Sequence, residues 1–275
     1  VYGWSEIRAT DYAALPAMLE REAPDIAVLT SRHPGDHLPQ VRTVAERGCH
    51  IYCEKPLSAN LTEADEIAAI VDRTGIKLCM AHPARYGGGY PIMKRMIEAG
   101  EIGQPLTVIG RGKCDHRGGG EDLIVLGTHI LDLQAVFFGP PEEVYADVRV
   151  KGRPITSADR AELVEPVGPA AGDEVFATFR FANAVRGVFE SRRGLQVAGS
   201  GVVHMGLAVI GSEGALSLRF GDGVDPDLRI SRHAGCVEEG VGFEPVGLPP
   251  PAAIPGAEPL DYSLCGQPGT PGAHW

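Results

Sequence analysis

No run in this 275-residue chain reaches the 18 or more consecutive apolar residues of a membrane-spanning helix, so no membrane partner is expected. Positive charge is also short. Lys and Arg number 25 against 36 Asp and Glu, a formal net charge of −11, which argues against a nucleic-acid or anionic-membrane partner. The six cysteines, at 49, 53, 79, 114, 236 and 265, lack the even spacing of a disulfide framework. Free thiols, a reducing compartment and a cytoplasmic location are the expectation. Metal-ligand spacing is missing too: His50 beside Cys49 and Cys53, His33 with His37, and Cys114 with His116 form no recognisable set, so no metal is expected. There are no repeats and no low-complexity tract. The chain starts at Val1 with no visible signal peptide, and an authentic N-terminus is expected to be missing.

What is present reads as a globular protein of one large or two modest domains, 44% hydrophobic and 22% charged. The first third alternates helix-like and strand-like pieces. "YAALPAMLEREA" predicts a helix and "DIAVLTS" a buried strand over 25–31. Asp36 is placed to cap the helix "HLPQVRTVAERG", which ends at Gly48, and "CHIYCEKP" is the next strand. Thr62 and Asp65 make a loose capping box for a helix that carries Ile67, Ala68 and Val71 on one side and stops near Gly75. "IKLCMAH" closes the series as a third strand. This rhythm predicts an α/β parallel sheet, and strands apolar on both faces predict helices on both sides. After about residue 102 the pattern changes. "PLTVIGRGK" predicts a strand and "LIVLGTHILDLQAVFF" a helix. Period-two segments follow: "VYADVRV", "EVFATFRF", "AVRGVFES", "HMGLAVIG" and "ALSLRF", with a hairpin turn at Asn183. They predict an antiparallel sheet with one buried and one more polar face. From Pro245 the chain is rich in Pro and Gly, with no regular structure assigned.

The stretch "HIYCEKPLSANLTEADE" ends an apolar strand on two opposite charges, Glu54 and Lys55. Either they tidy a surface turn as a pair, or Lys55 is aimed into a cleft. Adjacent residues on an extended chain point to opposite faces, which makes the pair awkward. Parallel sheets take ligands at the C-terminal ends of their strands, here Thr30 to His33, Glu54 to Pro56, and His82 to Arg85. Both points favour the cleft. On a continuous helix Asp122, Val125, His129, Asp132 and Val136 form one stripe able to line a cleft, with Leu126, Ile130, Leu133 and Phe137 on the apolar face beside it.

Glu54-Lys55-Pro56 after a strand, "GTHILD" at 127–132 and "IGSEGALSL" at 210–218 together resemble the glucose-fructose oxidoreductase and inositol dehydrogenase family. The likeness runs to about residue 220. It implies a truncated Rossmann-like parallel sheet over 1–83, an α+β substrate and oligomerisation domain with a largely antiparallel open sheet over 84–245, and a tail over 246–275. The implied cofactor is NAD or NADP, the implied substrate a sugar, cyclitol or related polyol, and the implied partner a second copy of the chain through the sheet. On the resemblance, Lys55 and His129 serve proton transfer and substrate orientation. Thr30, Ser31, Arg32, His33, His37, Glu54, Lys55, Pro56 and Arg85 fall on the cofactor side, with Tyr86 and the glycines at 87–89 at a flexible mouth. Two departures stand out. The family's opening Gly-x-Gly-x-x-Gly turn, whose amides and helix dipole hold a pyrophosphate, is absent, which reads as a fragment. Many members carry an aspartate four residues before the histidine, where this chain has Val125; Asp122 is the candidate replacement. The alternatives are an NAD-assisted lyase or glycosidase, and a non-catalytic sugar-binding or scaffold protein.

Overall fold

A computed structural model describes residues 14–86, 89–195, 205–219, 227–233 and 242–247. Several expectations lie outside the described residues: the start of the chain, the glycines at 87 and 88, Cys236, Cys265, and the tail from 248. The chain divides into two compact units. Unit 1 holds residues up to His82 together with Glu162–Pro169, and unit 2 holds Pro83–Ala161 and the chain from Ala170.

Unit 1 is built on a three-stranded parallel sheet in the order β1 (Ile26–Leu29), β2 (His50–Cys53), β3 (Leu78–Met80). Helices α1 (Leu15–Glu22), α2 (His37–Ala45) and α3 (Leu61–Thr74) alternate with the strands. One core joins them: Leu19, Val41, Val44, Ile67 and Ile70 pack with Ala27, Leu29, Ile51 and Cys53. Burying each of the Leu, Ile and Val side chains contributes roughly 1.5–3 kcal/mol. Gly75 closes α3 in the left-handed conformation expected of it (φ 71°).

Three local expectations are corrected. Asp36 makes no side-chain cap for α2; a 3₁₀ turn, Pro34–Asp36, leads into the helix, and the Asp36 carboxylate accepts a hydrogen bond from Ser31 Oγ at 2.6 Å. The cap of α3 is Asn60, whose side chain accepts from the Glu63 amide at 3.0 Å, so Thr62 and Asp65 are not the box. Finally, among the described residues the outer face of β1 is left uncovered. Ala27 and Leu29 point into the core, whereas Ile26 and Val28 on the opposite face are each 60% exposed.

Unit 2 begins with a 3₁₀ turn, Pro83–Arg85, and α4 (Tyr90–Glu98). Its strands are β4 (Pro105–Arg111), β5 (Pro141–Val150), β6 (Arg153–Pro154), β7 (Glu174–Phe181), β8 (Arg186–Arg192), β9 (Gly206–Gly211), β10 (Ala215–Arg219), β11 (Asp227–Ser231) and β12 (Phe243–Pro245). They form one sheet in the order β12-β11-β10-β9-β4-β8-β7-β5-β6. All pairings are antiparallel except β4 with β8, which run parallel from Thr107↔Arg186 to Arg111↔Glu190. The Asn183 turn joins β7 to β8 as expected, with Asn183 Oδ1 accepting from the Val185 amide. Alternation is clean on β8, where Gly187, Phe189 and Ser191 are buried between exposed or half-buried neighbours. It fails on β5: the neighbours Val144 and Tyr145 are both exposed.

The expected long helix over "LIVLGTHILDLQAVFF" is broken. A short α5 (Gly120–Asp122) runs into a π turn, Leu123–Gly127, and then into α6 (Thr128–Phe138). A π turn bonds i to i+5 and so shifts the residues after it out of α-helical phase with those before it. Asp122 and His129 are therefore not on one helical stripe. α6 lies close on the sheet because β4 and β8 carry glycines there. A Cβ at Gly110 would stand 2.3 Å from Ile130 Cγ2.

Candidate functional site

The candidate residues fall in both units, and each group has its own surroundings. In unit 1 three strands end on the same side, and Glu54, Lys55 and Pro56 leave the central one. The Glu54 amide donates to the Leu29 carbonyl and the Ala81 amide to the Cys53 carbonyl, both in continuation of the sheet. Residues 55–57 then bend, and the Lys55–Pro56 peptide is cis. In this bend Lys55 Nζ comes within 4.0 Å of Glu54 Oε1, so the neighbouring charges do approach, against the expectation from an extended chain. That distance is the outer limit of an ion pair. The Lys55 side chain is only 19% exposed, more sheltered than a lysine on an open turn. Before it, burial pushes the Cys53 thiol up to about 12, leaving it a protonated, inert packing group.

The loop after β1 is bonded largely within unit 1. Thr30, Arg32 and His33 are exposed. Ser31 Oγ accepts from the His33 amide at 3.2 Å while donating to Asp36. Arg32 pairs with Glu165. Glu165 belongs to the strap Glu162–Pro169, whose neck is closed by the Ala161–Ala170 bridge and which buries Val167. His37 is fully buried at the start of α2, and its ring meets the carbonyls of Ser31, Pro56 and Leu57. Its polar contacts are thus to protein backbone.

In unit 2, His129 sits in the first turn of α6, 2% exposed. Arg85 is paired within unit 2: its Nε donates to Asp132 Oδ2 at 2.9 Å and Nη2 to Oδ1. This bidentate pair raises the Arg85 guanidinium above its usual range, through the hydrogen bond first. It ties the 3₁₀ turn to α6 three residues beyond His129. Asp122 is fully buried. Its Oδ2 accepts from Ser191 Oγ at 2.5 Å and from the Cys114 amide at 3.3 Å. Oδ1 has no hydrogen-bond partner among the described residues. Burial raises the Asp122 carboxyl above the usual range, and the Ser191 and Cys114 bonds offset part of that. A Cβ at Gly112 would lie 2.1 Å from Oδ2, so the carboxyl occupies space that only glycine leaves free. The stripe expected to line a cleft is thus buried at 122, 125 and 129. Ser191 was not singled out in the sequence, although the period-two pattern of β8 marks it as a polar residue on an inward position.

Among the described residues no group of three or more His, Cys, Asp and Glu side chains is placed to hold a metal, and no helix is long and apolar enough to cross a membrane. The fit of a dinucleotide is partial. Lys55 and the loop 30–33 stand at the C-terminal ends of the strands, where parallel sheets take ligands. The positive-φ glycines described within the βα repeat of unit 1 lie at the opposite ends of the strands, Gly48 in the turn after α2 and Gly75 as the cap of α3, so the described residues there hold no glycine cradle for a pyrophosphate.

A parallel sheet with helices in alternation, followed by a large mixed sheet, defines an α/β protein with a Rossmann-like first unit. Residues 4–82 match the family model described as an oxidoreductase family with an NAD-binding Rossmann fold, and residues 90–217 match that of the GFO/IDH/MocA C-terminal domain. The chain belongs to this GFO/IDH/MocA oxidoreductase family. It is 31% identical over 153 residues to D-xylose 1-dehydrogenase (NADP(+)) 2 of Haloferax volcanii, covering 50% of this chain and 45% of that protein. It is 27% identical over 182 residues to myo-inositol 2-dehydrogenase of Thermotoga maritima, covering 62% and 51%. A crystal structure of an NAD binding oxidoreductase from Klebsiella pneumoniae shares the fold, with a TM-score of 0.65 and 24% identity over 86% of this chain and 64% of that one. The chain spans about half the length of these two curated relatives.

Proposed function

We propose that this chain serves NAD(P)-dependent hydride transfer between a nicotinamide cofactor and a sugar, cyclitol or related polyol. The observation that carries the reading is Lys55: a sheltered ammonium at the C-terminal end of the central parallel strand, next to Glu54. Family membership and relatives named for D-xylose and myo-inositol support the substrate class. The cofactor, when bound, supplies the hydride acceptor or donor. The chain's own part is to orient a substrate hydroxyl and move its proton. Lys55 holds that hydroxyl through its ammonium and orients it for loss of its proton. His129 is the proton carrier, a task imidazole performs near neutral pH. Arg85 and Asp132 fix the turn of α6 on which His129 sits.

Val125 favours a second reading, a non-catalytic sugar-binding or scaffold protein. A buried valine holds no hydroxyl, and Asp122 is committed to Ser191 and the Cys114 amide.

The test is single-turnover hydride transfer followed by cofactor absorbance, with product analysis, on a polyol panel that includes D-xylose and myo-inositol. The protein used is this chain with a relative's Gly-x-Gly-x-x-Gly strand–turn–helix unit joined ahead of Val1. Oxidation of a polyol with matching cofactor reduction supports the proposal. Bond cleavage without net cofactor reduction marks the lyase route, and tight polyol binding without turnover marks the second reading.

A further inference from the structure

Three backbone carbonyls close on one buried side chain in unit 1. His37 Nδ1 lies 3.0 Å from the Pro56 carbonyl oxygen and 3.1 Å from that of Leu57, and Nε2 lies 2.9 Å from that of Ser31. A carbonyl oxygen has no hydrogen to give, so each contact is a hydrogen bond only where the ring donates. Neutral imidazole has one N–H and one lone pair; the doubly protonated ring has two N–H groups. A forked N–H on Nδ1 serves Pro56 and Leu57 together. Ser31 needs a second N–H, on Nε2. Both ends close at once only in the doubly protonated ring.

The ends belong to different strand-end loops. Ser31 follows β1, and Pro56 and Leu57 directly follow Lys55 after β2. We propose that His37 is a positioning residue for Lys55, a two-ended clamp that ties the loop after β1 to the turn after β2 and opens at one end when the ring loses a proton. The role assigned to the clamped turn rests on the reading of Lys55 above. The titratable and charged groups on the elements around the ring are Arg32, His33 and Asp36 after β1, Glu54 and Lys55 after β2, Arg42 on α2, and, on α3 packed against α2, Glu63, Asp65, Glu66, Asp72 and Arg73. Most have partners of their own: Arg32 with Glu165, Asp36 with Ser31, Lys55 with Glu54, Arg42 with Glu66, and Glu63 with Asn60. The carbonyls are left as the groups bonded to the ring.

The test is a pH titration of the whole 275-residue chain, without cofactor or substrate, by nitrogen-resolved imidazole and backbone-amide magnetic resonance. The amides of Ser31, Lys55 and Leu57 are expected to shift with the same midpoint as the His37 ring. Corrected for intrinsic rates, hydrogen exchange at the Glu54 and His33 amides is expected to quicken about two- to tenfold as the ring loses its second N–H, the effect of one buried hydrogen bond. His37→Gln, which can donate from one end only, is expected to remove the joint titration and hold exchange at the faster value throughout. A His37 ring that titrates while the Ser31, Lys55 and Leu57 amides stay still would overturn the proposal, as would a His37→Gln chain that keeps the pH response. If His37→Gln fails to fold, the wild-type titration alone decides. Because no turnover is measured, the result stands even if Lys55 proves to have no part in hydride transfer.

Discussion

Lys55 and His129 are approached by different kinds of backbone. Lys55 follows a four-residue strand in a regular βα repeat; bonds to neighbouring strand ends run as far as Glu54, and the His37 ring meets the Pro56 and Leu57 carbonyls of its bend. His129 follows a π turn, in a helix held to a sheet at Gly110 and by Gln134, and tied to the 3₁₀ turn by an Arg85–Asp132 pair. The difference teaches where pattern reading holds. A repeat of strands and helices carries its own ruler, while a single inserted residue in a helix resets the phase of all that follows.

The largest expected effect weighs the two sites against each other. In the chain with the grafted turn, Lys55→Met and His129→Ala are each expected to slow hydride transfer about 100- to 10,000-fold. Dinucleotide binding should suffer less, since its main anchor is the grafted turn. A loss in only one variant would assign the proton step to that site alone, and unchanged rates in both would leave the family likeness to speak for fold only.

The next effect separates the two faces of the unit 1 sheet. Ile51→Ala, in the core between the strands and helices, is expected to cost about 2–5 kcal/mol in denaturant unfolding. Val28→Thr on the exposed face of β1 should stay within about 0.5 kcal/mol. Equal costs would mean that the outer face is packed in solution. Asn60→Ala, which removes the cap of α3, is expected to cost about 1 kcal/mol, and Thr62→Ala much less, a contrast readable from unfolding midpoints.

The smallest effect concerns Asp122 and is a matter of sign. Its carboxyl sits above the usual range when folded, so the unfolded chain releases the proton first. The folded state therefore loses stability as pH rises from the ordinary carboxylate value through the raised one, and the deficit persists above it. Asp122→Asn removes that dependence. Its midpoint relative to wild type is expected to climb with rising pH across that window, and a pH-independent difference would contradict the buried-acid account.

Much of the fold was legible in the sequence for physical reasons. Period-two runs marked β5, β7, β8, β9 and β10, although one-sided packing is clean on β8 while β5 is exposed or half-buried throughout and β10 is buried on both sides, and Gly75 marked the end of α3 because only glycine enters the left-handed region cheaply. The misses have reasons too. The box at Thr62 was taken two residues late because Asn60 and Glu63 supply the same chemistry just upstream. The stripe from Asp122 to His129 assumed a helical period that the π turn breaks. His37 shows no partner in sequence because its partners are carbonyls, which every residue has. Arg85 and Asp132 are 47 positions apart, and Arg32 and Glu165 are 133 apart, separations no local pattern spans.

The central claim is that the strand-end loops of unit 1 take the nicotinamide side of a dinucleotide whose pyrophosphate needs a glycine-rich turn. Calorimetric titration with NADH, of the 275-residue chain and of the same chain with that turn grafted ahead of Val1, tests it most directly. The account predicts weak or undetectable binding by the first and binding restored in the second. Low-micromolar binding by the 275-residue chain alone, or no binding by a folded grafted chain, would contradict it.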